Sequence, residues 1–139
     1  MKLLSTPMTI GLALFLFSGC TLFDVDLKTA RNLEGDWEVT SFTQDGTEAM
    51  QFVINSASLE FEEYDKGNDE GDFTFSFIYT DGSTVNLTGE YLVDEDGSNL
   101  ELTYNTGVVE NWDLDLEKDN LEISSVLDGV NYIIKADRD

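Results

Sequence analysis

From Gly35 onward, apolar and polar residues alternate with a period of two, the pattern of strands that bury one face. Phe73, Phe75, Phe77 and Tyr79 share a face against Thr74 and Ser76, and Val85, Leu87, Gly89, Tyr91 and Val93 share the next. Later sets are Leu100, Leu102 and Tyr104; Trp112, Leu114 and Leu116, with Asp113, Asp115 and Glu117 on the other face; Leu121 and Ile123; and Val130, Tyr132, Ile134 and Ala136. The alternation predicts strands over 36–43, 58–64, 72–79, 83–93, 99–105, 108–117, 120–127 and 130–136. Residues 49–54, with Met50, Phe52 and Ile54 on one parity, add a ninth strand or form a short helix or lid. Nothing has the length or the 3.6-residue period of a substantial helix.

The turns test this scheme, because residues paired across a hairpin must point to one face. Leu127 and Val130 flank Asp128-Gly129, a two-residue loop with type I′ chemistry. Tyr79 and Ser83 flank Thr80-Asp81-Gly82, and Tyr104 and Val108 flank Asn105-Thr106-Gly107; both have glycine at the left-handed position of a G1 bulge. All three agree with the alternation and predict Ile123 opposite Ile134 and Phe77 opposite Val85. Eight consecutive antiparallel strands close most naturally into an all-β up-and-down barrel, with a two-sheet sandwich as the rival. Gly89, inward on a long strand, marks a bend or bulge that lets the sheet coil closed.

Ahead of the strands stand Lys2, an apolar run from Met8 to Phe17, and Ser18-Gly19-Cys20, the layout of a secretory signal. A run of ten, with Thr9 and Gly11 inside it and Pro7 before it, is too short for a bilayer span of about 20 residues. Leu16-Phe17-Ser18-Gly19-Cys20 resembles the lipobox of bacterial lipoproteins, with Phe17 where an aliphatic residue is usual. The resemblance implies acylation of the Cys20 thiol, cleavage before it and anchoring by the new terminus; an ordinary secreted protein is the alternative. The expected organisation is a signal peptide over 1–19, a tether over 20–32 and one domain over 33–139, anchored in the cell envelope at the outer membrane, on its periplasmic or its surface side.

All 29 acidic residues follow the leader, whereas Lys2 is the one basic residue of seven inside it; the whole chain carries a formal charge of −22. Such a field repels nucleic acid and anionic head groups and attracts cations or basic proteins, or it serves solubility alone, through carboxylates on outward strand faces. There is no histidine, and Cys20 is the only cysteine. Histidine-based triads, Cys-His pairs and histidine or thiolate zinc sites are therefore excluded, and neither catalysis nor a cofactor is expected. Acid pairs such as Glu62 with Glu63, or Asp113 with Asp115, lack any sign of the sugar-binding cleft that glycosidase chemistry needs. Two acidic loops, 65–72 and 94–99 followed by Glu101, admit a calcium reading through Asp94, Asp96, Asn99 and Glu101, although Asp-Gly-Ser-Asn is also ordinary turn chemistry.

Leu33-Glu34-Gly35-Asp36-Trp37-Glu38-Val39-Thr40-Ser41 resembles the Gly-x-Trp opening of the lipocalin-like domains common among bacterial lipoproteins, and Gly89-Glu90-Tyr91 and Leu121-Glu122-Ile123 look like the same family. The resemblance implies that Trp37 closes one barrel end beneath Arg138 and that the barrel binds a small apolar ligand. Only Asp137-Arg138-Asp139 follow the last predicted strand, which leaves no room for the family's C-terminal helix. The inward aromatics Trp37, Phe61, Phe75, Phe77, Tyr91, Tyr104, Trp112 and Tyr132 either line a ligand cavity or fill the core, and each buried phenol needs a partner. Phe42, Ile78, Leu92, Val126 and Ile133 fall on the outward parity, and Phe42, Val126 and Ile133 would form one patch if the first and last strands pair. The expected function is a non-catalytic, lipid-anchored binding barrel; the alternative is a ligand-free module that presents a protein-interaction or calcium-binding surface in the envelope.

Overall fold

The computed structural model describes residues 29–64, 70–94 and 96–138. The leader, Cys20, the tether up to residue 28, residues 65–69 of the first acidic loop and Glu95 of the second lie outside the described residues. The alternating segments become β1 (Gly35–Gln44), β3 (Ile54–Phe61), β4 (Gly71–Tyr79), β5 (Thr84–Val93), β6 (Asn99–Tyr104), β7 (Val109–Glu117), β8 (Asn120–Leu127) and β9 (Val130–Arg138). A two-residue strand, β2 (Thr47–Glu48), pairs only with the end of β1. Each long strand pairs antiparallel with the next, and β9 returns to β1, so the sheet closes into an eight-stranded barrel and not a sandwich. Closure leaves no long free edge, and one face of every long strand turns toward the interior.

The register follows the hairpin chemistry. Ile123 lies opposite Ile134 and Phe77 opposite Val85. Asp128 and Gly129 both take positive φ, 52° and 80°, as a type I′ turn requires. In the two three-residue loops, Tyr79 N–H donates to Ser83 O and Tyr104 N–H to Val108 O, each at 2.8 Å. Gly89 stands so close to β6 that a Cβ there would meet Thr103 O at 2.1 Å, so only glycine permits this approach of the two strands.

The first two long strands depart from simple alternation. A bulge in β1, between Val39, opposite Ala136, and Ser41, opposite Lys135, shifts the parity by one residue. Phe42 therefore turns inward against Phe77 and Tyr132, with ring centroids 6.0 and 6.1 Å away, and does not join the outer patch expected of it with Val126 and Ile133. β3 begins at Ile54, four residues earlier than expected, and Tyr64 leaves the strand yet stays buried. Residues 49–54 form neither a full strand nor a helix. They make a tight turn in which Ala49 O accepts from the N–H groups of Phe52, Val53 and Ile54, so Met50 and Ile54 are buried while Phe52 is 75% exposed.

Beyond the bulge, β1 and β3 part, and Glu48 fills the seam. Its Oε1 accepts from Ser41 Oγ at 2.6 Å, and its Oε2 accepts from the N–H groups of Phe42 at 2.8 Å and Met50 at 3.1 Å. Burial raises the pKa of this carboxyl, but its bonds to Ser41, Phe42, Met50 and Ala49 together outweigh that and hold it below the ordinary carboxylate range.

Residues 29–33 form a helical turn across the barrel base, with Ala30 and Leu33 fully buried. The last four expected tether residues, 29–32, thus pack as part of the domain. Trp37 Nε1–H donates to Leu33 O at 2.8 Å, which joins the turn to the first strand.

Candidate functional site

The strand directions put the two barrel ends in different chemistry. At the base, the helical turn, the described residues just after β3 (62–64) and Arg138 close the interior. The Arg138 guanidinium carbon lies 4.3 Å from the Trp37 ring centroid, with Nη1 donating to Glu34 O at 2.8 Å and Nη2 to Asn32 O. Trp37 is fully buried beneath it, in the place the family resemblance implies. Tyr64 N–H donates to Glu34 Oε2 at 2.6 Å, and the Tyr64 ring packs 5.7 Å from that of Tyr91, whose hydroxyl donates to Glu62 O at 2.6 Å.

The middle of the barrel is filled. Phe61 makes edge contacts with Tyr91 at 5.1 Å and Phe75 at 5.7 Å; Phe73 packs on Phe75 at 4.6 Å and on Tyr104 at 5.4 Å. Such pairs add roughly 0.5–1.5 kcal/mol each beyond the area they bury. Of the eight candidate aromatics, Trp37, Phe61, Phe75 and Tyr91 thus belong to the packed base and core, and Trp112 is buried beside them. Phe77, Tyr104 and Tyr132 stand nearer the other end, where Tyr104 and Tyr132 are half-buried.

That end is open. Phe42, Phe77, Tyr79, Ile54, Val85, Leu87 and Val130 line a cleft of about 680 Å³, with Gln44, Asp45, Thr47 and Glu48 at its polar rim. The β6–β7 hairpin makes the low side of its wall. β5 pairs with β4 up to Thr84 but with β6 only from Gly89, and β8 continues past its last β7 partner, Ser124, to Leu127. In the resulting notch Leu87, Tyr104, Val108 and Glu110 border a second hollow of about 330 Å³, so Leu87 belongs to both spaces. A hollow of about 560 Å³ over Ser56, Ser58, Thr74 and Ser76 is polar and lies on the outer wall, away from the interior.

Glu110 is the residue that a search for inward aromatics misses. It sits on the inward parity of β7, half-buried, and one oxygen holds two donors: Tyr104 Oη donates to its Oε1 at 2.7 Å and Trp112 Nε1 at 3.1 Å. Burial first, then the bond to the Glu110 carboxylate, pushes the Tyr104 phenol well above its usual range; burial and the acids Glu34, Asp72 and Glu62 do the same to Tyr91. Both hydroxyls therefore remain donors, and of the three candidate tyrosines Tyr91 and Tyr104 find their partners within the protein.

The mouth is also one-sided in charge. Asp45, Asp81 and Asp128 stand in its turns and Glu110 within its wall, while none of the described basic residues lines either hollow. Arg31, Lys118 and Arg138 are at the base, and Lys135 pairs with Glu122 at 3.8 Å on the outer wall. Among the described residues no three His, Cys, Asp or Glu side chains converge as a metal site, and Asp94 Oδ1 is spent on the N–H groups of Ser98 and Asn99 at 3.0 and 3.1 Å.

No family model matches the chain, and no curated protein matches it. Solved structures do match its fold. A de novo designed fluorescence-activating β-barrel is 22% identical over 80% of this chain and 97% of its own, with a TM-score of 0.57. Lobster apocrustacyanin A1 is 14% identical over 84% of this chain and 66% of its own, with a TM-score of 0.56. A lipocalin-like protein from Bacteroides uniformis ATCC 8492 is 16% identical over 75% of this chain and 97% of its own, with a TM-score of 0.50. At these identities the likeness is one of architecture: this chain folds as a lipocalin-like barrel.

Proposed function

We propose that this protein is a non-catalytic, lipid-anchored lipoprotein of the outer membrane whose barrel binds a small apolar ligand at its mouth. The observation that carries the binding role is the cleft of about 680 Å³ above the filled core, within the range of roughly 300–1,000 Å³ common for small-molecule sites. Val85 and Leu87 face this cleft and are each 37% exposed, which is apolar area that a ligand would cover. The neighbour described as fluorescence-activating and the one described as lipocalin-like share the architecture, which is compatible with a binding role. The lipobox-like segment ending at Cys20 supports the anchor. Residue 29, the first described residue, stands at the base, the end opposite the mouth.

Native mass spectrometry of the protein extracted from membranes in mild detergent tests the binding role. A co-purifying small molecule of defined mass is expected. An empty barrel that also leaves an apolar environment-sensitive dye dark would overturn the reading. Replacing Cys20 by alanine is expected to move the protein from the membrane to the soluble fraction.

A further inference from the structure

Resting on that reading of the mouth, we infer that the ligand is an amphipathic cation: an apolar body in the cleft with a protonated amine against the free oxygen of Glu110. Both side-chain hydrogen bonds that described residues donate to Glu110 go to Oε1, and Oε2 receives none from them. Tyr104 and Trp112 both donate to that one oxygen, which fixes the orientation of the side chain. The second oxygen is left as an acceptor, and Glu110 borders the hollow walled by Leu87 and Val108.

The charge layout selects further. An anionic head group in the mouth would meet Glu110 in the smaller hollow and Asp45 and Glu48 at the rim of the larger one, with no described lysine or arginine lining either to receive it. A neutral ligand would satisfy the apolar wall but would leave the carboxylate without a counter-charge. A primary ammonium supplies both donor and charge, and a charge-assisted bond in a partly desolvated site is about twice as strong as a neutral one. Leu87 borders both hollows, so an alkyl body lying against Leu87 in the larger one has its end next to the smaller one that Glu110 lines.

Three probes of equal chain length, used below micelle-forming concentrations, test this by calorimetry: n-decylammonium, n-decanol and n-decanoate. The expected order is decylammonium tightest, about tenfold or more ahead of decanol, with decanoate weakest. Glu110→Gln is expected to erase the advantage of the cation over decanol, both measured in that same variant. A second readout needs no variant: in ¹⁵N spectra with two indole N–H signals, decylammonium should move that of Trp112 and leave that of Trp37 in place. Equal binding of decanol and decylammonium, or tighter binding of decanoate, overturns the cation preference while leaving the binding mouth intact. If none of the three binds, the binding mouth itself fails, and the inference fails with it.

Discussion

Arg138 lies over Trp37, the guanidinium carbon 4.3 Å from the ring centroid, and joins the last strand to the first turn of the domain. It carries a cation–π contact, two bonds to the carbonyls of Glu34 and Asn32, and a 3.5 Å ion pair with Asp119. The ion pair is exposed and adds little. Arg138→Ala should therefore cost about 2 kcal/mol, mostly from the stacked ring and the carbonyls. Arg138→Lys should recover less than half of that loss, since lysine cannot stack a planar fork on the indole. Denaturant titration of both variants measures this; equal stability of wild type and the alanine variant would remove the latch.

Glu48 makes stability pH-dependent in a stated direction. Its folded pKa is depressed, so its contribution is complete above the unfolded value of about 4.3 and is lost as pH falls through the folded value. Glu48→Gln should be destabilising at pH 7 by about 1–2 kcal/mol, because three short bonds lose their charged acceptor. The gap between wild type and variant should narrow on acidification. Unfolding midpoints measured from pH 7 to pH 3 decide it, and a gap independent of pH would refute this role.

Glu60 behaves in the opposite sense. Burial, with the charges of Asp36 and Glu62 behind it, raises its pKa, and it sits directly opposite Asp36 in the β1–β3 ladder. The ionised form is therefore disfavoured by folding at neutral pH, and the penalty declines as pH falls through the folded value and is gone below the unfolded one. Glu60→Gln should stabilise the barrel at pH 7 by roughly 0.5 kcal/mol, read as a higher melting temperature. A lower one would show that the carboxylate is structurally required.

Most of the fold was legible because hairpin chemistry and alternation are local signals that check each other. Asp128-Gly129 sets β8 against β9 without reference to the rest of the barrel, and Ile123 opposite Ile134 follows by counting. The β1 bulge breaks the count. Its trace is the three-residue spacing from Val39 to Phe42 where alternation demands two, and strict parity misplaces Phe42 on that account. The turn at 49–54 defeats periodicity too, because Ala49 O takes three N–H groups in succession. Glu110 carried a usable signal: it stands two residues before Trp112, so parity alone puts it inside. An acid does not register as a core position, so a search for inward aromatics passes over it. What no local pattern reveals is the relative height of the hairpins, a sum of registers around the whole barrel, and that height decides where the wall drops and the mouth opens.

Gly89 is the point where close packing is least negotiable. A Cβ there would meet Thr103 O at 2.1 Å, Tyr104 Cα at 2.8 Å and Phe73 Cε1 at 2.9 Å. The first two are backbone and cannot rotate away, so Gly89→Ala must push β5 from β6 and disturb the Phe73–Tyr104 contact. A loss of about 3 kcal/mol is expected, the upper part of the usual overpacking range. Chemical denaturation measures it, and a change below about 1 kcal/mol, the floor of that range, would mean that the two strands separate easily.

Leu87 separates binding from stability. It faces the mouth, borders both hollows and is 37% exposed, so its side chain contributes little to the sealed core. Tryptophan at this position adds bulk where the structure has open space, so it should occupy the entrance without the strain that overpacking causes inside. Leu87→Trp is therefore expected to weaken binding of an apolar dye about tenfold or more, since the dye must forgo the cleft or displace the indole. Its unfolding midpoint should change by less than the equivalent of about 1 kcal/mol, as for a surface position. The two readouts fail differently. Unchanged dye affinity with unchanged stability would place ligand binding elsewhere on the barrel. Lost affinity together with a collapse in stability would show that Leu87 packs the core and does not merely guard the mouth. Only lost affinity at constant stability fits a rigid barrel whose base and middle are packed by aromatics and whose upper rim is kept open for a guest.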